Sequence, residues 1–254
     1  MQSIPLQTVR LAGRCIEYAL ARPAADGHSG PPIVFENGLM GRLNEWQAVW
    51  HDLPGTTRFA YHRPGYGRSA QPLTARDGLH IVDELRALLA TCGLNPPYLL
   101  VGHSLGGLYM HLFARRYPAE VSGLVLVDPT HPQQFQGNGA PAHWPWWLRI
   151  GFQLMLNRTA RAEFTASGCT GEQLLALPAH PGCPTQLLSA SGPQQDSSLM
   201  GIDGAAKRRD MLRLLPGAQQ HWIDCGHHIH RECPAAVSAA IRNLSLPQAA
   251  ASTP

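Results

Sequence analysis

The run Tyr98-Leu99-Leu100-Val101-Gly102-His103-Ser104-Leu105-Gly106-Gly107 decides the fold. Residues 97–101, bounded upstream by Pro96-Pro97, read as a buried strand. Leu105, Leu108, Leu112 and Phe113 then recur at helical spacing until Tyr117-Pro118. Between the two, Gly-x-Ser-x-Gly makes the chain reverse from strand into helix. Glycines are wanted there because neighbouring turns meet without room for Cβ atoms, and the strained backbone lifts the Ser104 hydroxyl clear of the main chain. The Leu105 amide falls in the first turn of the helix, where unsatisfied N–H groups and the positive end of the dipole favour an oxyanion. Ser104 is therefore a candidate nucleophile.

Working outward, strand and helix signals alternate. Thr8–Leu11 and Ile16–Leu20 read as a hairpin turning at Gly13, residues 22–32 as a loop, and Ile33–Phe35 and Arg58–Tyr61 as strands. A helix near 75–91 carries Leu79, Val82, Leu85, Leu88 and Leu89 on one stripe. After the Ser104 helix come a strand over 123–128, an irregular stretch to about 183, and a strand over Thr185–Ser189. A helix near 204–215, a strand over Gln219–Ile223 and a helix near 234–244 close the order. Such alternation implies an α/β fold with a mostly parallel sheet covered on both faces, and functional groups at the carboxyl ends of its strands.

The whole chain excludes several classes. With 254 residues and 44% hydrophobic composition it can build one large core. Its formal charge of +3 is spread over scattered arginines, with no basic stripe interleaved with aromatics, so nucleic acid is not an expected partner. The longest apolar runs fall short of a membrane span, and Met1–Gly13 lacks the basic start and apolar centre of a secretory signal. The expectation is a cytoplasmic protein without stable membrane insertion, a monomer or homodimer. Six separated cysteines without Cys-x-x-Cys suit reduced thiols, with Cys169/Cys183 and Cys225/Cys233 left open as pairs. The run His227-His228-x-His230 invites a metal reading. Adjacent histidines point apart on an extended loop, however, and no second ligand cluster lies nearby in sequence, so no metal is expected.

Two further groups at strand ends can join Ser104. His227 follows the strand over Gln219–Ile223 in Asp224-Cys225-Gly226-His227, with a flexible glycine before it and a helix opened by Pro234 after it. Its imidazole is placed to take the serine proton and return it to a leaving group. His221, His228 and His230 read as loop or surface residues. The acid that fixes the imidazole is Asp128, directly at its strand end in Val127-Asp128-Pro129, or Asp196 in the loop beyond the next strand. The rigid mount favours Asp128.

Four segments in order resemble the α/β-hydrolase family: Phe35-Glu36-Asn37-Gly38-Leu39, Tyr61-His62-Arg63-Pro64-Gly65-Tyr66-Gly67-Arg68-Ser69, the Ser104 run and Gly226-His227. The resemblance covers nearly the whole chain. It implies a mostly parallel eight-stranded sheet with helices on both faces and a helical cap after the sixth strand. The core is then 1–130 with 184–246, the cap 131–183 and a flexible tail 247–254. It also implies an oxyanion hole from the Leu39 and Leu105 amides, Asn37-Gly38 standing where the family usually has His-Gly. Family members place the acid after strand six or strand seven, so the resemblance leaves Asp128 and Asp196 both open.

Trp144, Trp146, Trp147, Phe152, Leu154, Met155 and Leu156 crowd into the cap, where Trp144, Trp147 and Phe152 are candidate pocket residues for an apolar acyl or aryl group. Packing of the cap onto the body explains the same crowding. The implied activity is hydrolysis of small-molecule carboxylic esters through an acyl-enzyme, without a cofactor. Acyl transfer, thioester cleavage or carbon–carbon bond cleavage on the same residues are alternatives, and so is a ligand receptor that kept the fold.

Overall fold

The computed structural model describes residues 3–23, 30–179, 182–192 and 200–245. Its strands are β1 (Gln7–Leu11), β2 (Arg14–Ala21), β3 (Ile33–Glu36), β4 (Arg58–Tyr61), β5 (Tyr98–His103), β6 (Val121–Val127), β7 (Thr185–Ala190) and β8 (Gln219–Ile223). The longer helices are α1 (Gln47–His51), α2 (Gly78–Thr91), α3 (Leu105–Arg116), α4 (Trp146–Met155), α5 (Arg158–Ala176), α6 (Gly204–Leu214), α7 (Ile229–Glu232) and α8 (Pro234–Ser245). One eight-stranded sheet runs β1-β2-β4-β3-β5-β6-β7-β8, with β2 antiparallel to both its neighbours and every other pairing parallel.

Central strands are buried on both faces, which is why they read as continuous apolar runs: every residue of β3, β5 and β7 is buried. One face packs Val34, Leu100, Leu124 and Leu126 against α2 and α3. The other packs Phe35, Val101, Val125 and Val127 against Trp46, Trp50 and the α8 residues Val237 and Ile241. The hairpin, the parallel strands and the closing helix lie where the sequence places them. The α2 helix starts at Gly78 rather than near 75 because the Asp77 side chain caps it, accepting from the His80 amide.

The stretch read as irregular contains two helices. A 19-residue helix, α5, was hidden because its buried face is written mainly in small and polar residues, Thr159, Ala160, Glu163, Phe164, Ser167, Thr170, Gly171 and Leu174. Those positions keep helical spacing without the large side chains that usually mark it. The short helical segment Leu43–His51, unforeseen in the sequence, buries Trp46 and Trp50 beneath the sheet. Among the described residues no helix is long and apolar enough to cross a membrane, and no two cysteines are joined in a disulfide.

Close approach of α3 to the sheet sets the geometry of the strand ends. A Cβ built on Gly106 would lie 2.4 Å from the Asn37 carbonyl oxygen and 2.6 Å from that of Glu36, and one on Gly102 would lie 2.5 Å from the Gly106 oxygen. Both obstacles are backbone, so neither can swing aside. Gly106→Ala is therefore expected to cost about 1–3 kcal/mol in denaturant unfolding. Gly168→Ala, inside α5 with open space at its Cβ position, is expected to gain roughly 0.5–1 kcal/mol. Equal stabilities for the two variants would contradict this packing account.

Candidate active site

Ser104 sits between β5 and α3 with φ 53° and ψ −122°, a left-handed conformation that a residue with a Cβ adopts only when its surroundings impose it. The imposing contacts are on its own backbone. Its amide donates to the Val127 carbonyl (3.1 Å), and its carbonyl accepts from the Thr130 amide (2.9 Å) and the Gly107 amide (2.9 Å). The elbow is thereby stitched to the end of β6 and to the first turn of α3. The hydroxyl does not cap α3, so it is free to face the adjacent strand ends.

There it meets His227, whose Nε2 lies 2.9 Å from Ser104 Oγ; His227 Nδ1 lies 2.6 Å from Asp128 Oδ2. Three residues drawn from the ends of β5, β6 and β8, far apart in sequence, thus form one hydrogen-bonded line. The loop carrying His227 is tied down by the Gly226 amide donating to Glu232 (2.7 Å) and the Gly192 amide donating to the Cys225 carbonyl (3.1 Å). Asp196, the alternative acid, lies outside the described residues.

Asp128 has a second partner that sequence reasoning missed. Arg208 of α6 grips it with both arms of its guanidinium, Nε to Oδ1 at 2.6 Å and Nη2 to Oδ2 at 2.8 Å, and the Ala190 amide donates to Oδ1 at 3.2 Å. Burial alone would raise the Asp128 pKa. The hydrogen bonds from Arg208 and His227 outweigh it and hold the carboxyl below its ordinary range, so the acid is an anion at neutral pH. A signal did exist in the sequence, since Arg208, Met211 and Leu214 share one buried helix stripe, an unusual place for an unpartnered arginine.

The loop after β3 closes the other side. A Cβ on Gly38 would lie 3.2 Å from Ser104 Cβ, so Gly38 is pressed directly against the candidate nucleophile, and Leu39 follows it. Leu105 begins α3 immediately beyond the serine.

Residues 31–197 match the family model for the alpha/beta hydrolase fold. The chain belongs to the α/β-hydrolase family. Its relatives include an uncharacterized protein, YqjL, of Bacillus subtilis (strain 168), 28% identical over 86% of this chain and 85% of that protein. At 28% identity, 89% of this chain also covers 98% of the 2-succinyl-6-hydroxy-2,4-cyclohexadiene-1-carboxylate synthase of Klebsiella pneumoniae subsp. pneumoniae. Among solved structures, the thioesterase domain from the curacin biosynthetic pathway superposes with a TM-score of 0.69 at 16% identity, 95% of this chain covering 100% of that one. That last likeness is one of fold.

Beyond the features of the α/β-hydrolase fold, this chain packs histidines around His227. His230 is buried, not a surface residue as its sequence context suggests; its ring stacks on Trp46 (4.6 Å) and lies 4.3 Å from the His103 ring. His228 is exposed, as expected, yet its ring comes within 5.3 Å of His103. A third imidazole that the sequence spacing did not offer thus comes from His103, at the end of the central strand β5. The nitrogens of His103, His228 and His230 lie within 4.8 Å of one another. His103 Nε2 donates to the His227 carbonyl at 3.0 Å, which fixes the backbone of the catalytic candidate from behind.

The aromatics of residues 135–164 divide. Trp144 is buried and Phe152 half-buried, packing with Phe135 and Phe164 beside Tyr66 and Leu39. Trp147 is 52% exposed and lies outside that cluster, as does Trp146, so the two project from α4 instead of joining the apolar wall.

Burial pushes the His103 pKa well below the ordinary imidazole range, and neighbouring His230 and His227 push the same way. Burial also lowers His230, against the pull of Glu45. Folded protein therefore refuses protons that the unfolded chain accepts below about pH 6.5. Stability should be level above that pH and fall beneath it, by up to about 1.4 kcal/mol per pH unit for each of the two residues. Urea unfolding at pH 7.5, 6.0 and 5.0 measures the slope, and His103→Gln should make it shallower. A flat profile down to pH 5 would show that these rings are not held neutral.

Proposed function

We propose that the protein is a serine hydrolase of carboxylic esters. The observation that carries this reading is the unbroken line Ser104 Oγ to His227 Nε2 (2.9 Å) and His227 Nδ1 to Asp128 (2.6 Å), set at the N-terminus of a helix. His227 accepts the serine proton as Oγ attacks the ester carbonyl, and Asp128 holds the ring in the tautomer with Nδ1–H while stabilising the imidazolium. The Leu39 and Leu105 amides receive the negative oxygen of the tetrahedral intermediate. On collapse the alcohol leaves with the proton returned by His227. Water then attacks the acyl-serine with the same base, releasing the acid and regenerating the hydroxyl.

Substrate class follows from the wall beside the site. Phe152, Phe164, Trp144 and Leu39 pack into one apolar cluster, which suits an apolar acyl or aryl portion. The chain supplies its own nucleophile, base and acid, so the reading calls for no cofactor. Its relatives include a synthase, and its fold is shared with a thioesterase, so acceptors other than water belong in the first activity screen.

Ser104→Ala should lower turnover of p-nitrophenyl esters by about 10⁵–10⁶-fold and abolish labelling by a fluorophosphonate. Undiminished turnover in pure variant protein would refute the mechanism. Asp128→Asn should lower kcat by about 10⁴-fold, whereas Asp196→Asn should leave it within a few-fold. The reverse ranking would move the acid to the loop after β7.

A further inference from the structure

Arg63 is buried beneath the oxyanion loop, and all five of its N–H donors have acceptors. On one side Nε and Nη2 fork onto the Glu163 carboxylate of the cap helix α5, at 3.0 and 2.9 Å. On the other, Nη1 donates to Glu36 and, at 2.7 Å, to the Asn37 carbonyl, while Nη2 donates to the Gly38 carbonyl at 2.8 Å. The ring of Tyr66 stacks under the guanidinium at 5.0 Å, and its hydroxyl donates to Glu163 at 2.8 Å.

The Gly38 contact has a geometric corollary. Across a planar trans peptide the C=O and the following N–H point in opposite directions. Drawing the Gly38 oxygen onto Arg63 therefore turns the Leu39 N–H away from Arg63. Gly38 itself touches Ser104 on its other side, its Cβ position 3.2 Å from Ser104 Cβ and 3.0 Å from His103 Nδ1. The Gly38 oxygen also accepts from the Gly41 amide at 3.2 Å, so the guanidinium and the turn together set the peptide plane whose amide the ester reading requires, and the guanidinium is the member of that pair clamped by α5.

We propose that Arg63 is the positioning residue of the oxyanion site and that Glu163, by holding its far side, couples seating of the cap to alignment of the Leu39 amide. This rests on the hydrolase reading above and deepens it. Arg63 touches no reacting atom. Its role is to supply a rigid, planar fork that two carbonyls and a carboxylate can share, which a lysine's single ammonium cannot reproduce. Cap displacement would release one prong of that fork, so a substrate that lifts α5 would meet a less ordered oxyanion hole than one that leaves α5 seated.

The test compares Arg63→Lys, Arg63→Gly and Glu163→Gln with the wild-type chain, each first checked for cooperative thermal unfolding. Arg63→Lys should lower kcat by roughly 10²–10³-fold, the loss seen when one oxyanion donor is removed. KM should stay within about threefold, since the donor acts mainly on the transition state. The fluorophosphonate labelling rate should fall in parallel with kcat, because its phosphoryl oxygen occupies the same hole as fluoride departs from phosphorus. Millimolar guanidinium should restore part of kcat to Arg63→Gly. Glu163→Gln, which leaves one leg of the fork without an acceptor, should show a smaller kcat loss with the same split and faster amide hydrogen exchange over residues 37–39.

A folded Arg63→Lys or Glu163→Gln with kcat within threefold of wild type, or with unchanged exchange in that loop, overturns the proposal. So does a loss carried by KM alone. The exchange readout does not depend on turnover. Failure of the hydrolase reading would instead appear as absent turnover and labelling in the wild-type protein.

Discussion

The site depends on one steric constraint: the first turn of α3 lies against the carbonyls that end β3 and against the last residues of β5, at a distance that leaves no room for side chains at 102 and 106. That approach holds Ser104 at positive φ and delivers its hydroxyl toward β8. It also presses Gly38 against the serine from the opposite side. Strain at the serine is sustained because its amide and carbonyl are both bonded to the β6 end, so relaxing the elbow would break those bonds and expose the sheet edge beneath.

Buried charge does the remaining positioning, and it does so in closed sets. Asp128 is satisfied by Arg208, His227 and the Ala190 amide, and Arg63 by Glu36, Glu163 and two loop carbonyls. Arg76 joins Glu163 to Glu84, extending the second set from α5 to α2. Removing one member of such a set leaves an uncompensated charge in a dry interior, typically a cost of about 3–5 kcal/mol. Rigidity at the site is thus the by-product of charges that have no solvent to turn to. Oriented dipoles and amides are thus held in place by the fold itself.

How much of this was legible in the sequence varied with the chemistry that writes each element. Strands β3, β5 and β6 are mainly apolar and announced themselves; the Ser104 elbow, being dictated by glycine sterics, did so as well. His227 and Asp128 could be placed beside Ser104 from sequence because strand ends are where such a sheet exposes its groups. The α5 helix escaped because its buried face carries Ala160, Ser167, Thr170 and Gly171, residues whose burial reflects close helix packing more than hydrophobicity. Arg208 escaped since a guanidinium in the run Lys207-Arg208-Arg209 looks like solvated charge until its helix stripe is drawn. Burial of His230 was invisible for a related reason: its partners, Trp46, Glu45 and His103, come from elements more than a hundred residues away.

Arg208 also bears on how this site can change over generations. α/β folds of this kind can mount the acid on either of two neighbouring strands, so a lineage could in principle trade one mount for the other by a pair of substitutions. Here the trade is obstructed. Losing the carboxylate at 128 would maroon a nearly buried guanidinium, 9% exposed in its side chain, with no counter-ion of its own. The arginine would have to disappear first or at the same time, and its earlier loss would leave the buried Asp128 carboxylate without its two-armed partner. The two residues therefore form an evolutionary ratchet, and a carboxylate at 128 is expected to persist in any descendant that keeps Arg208.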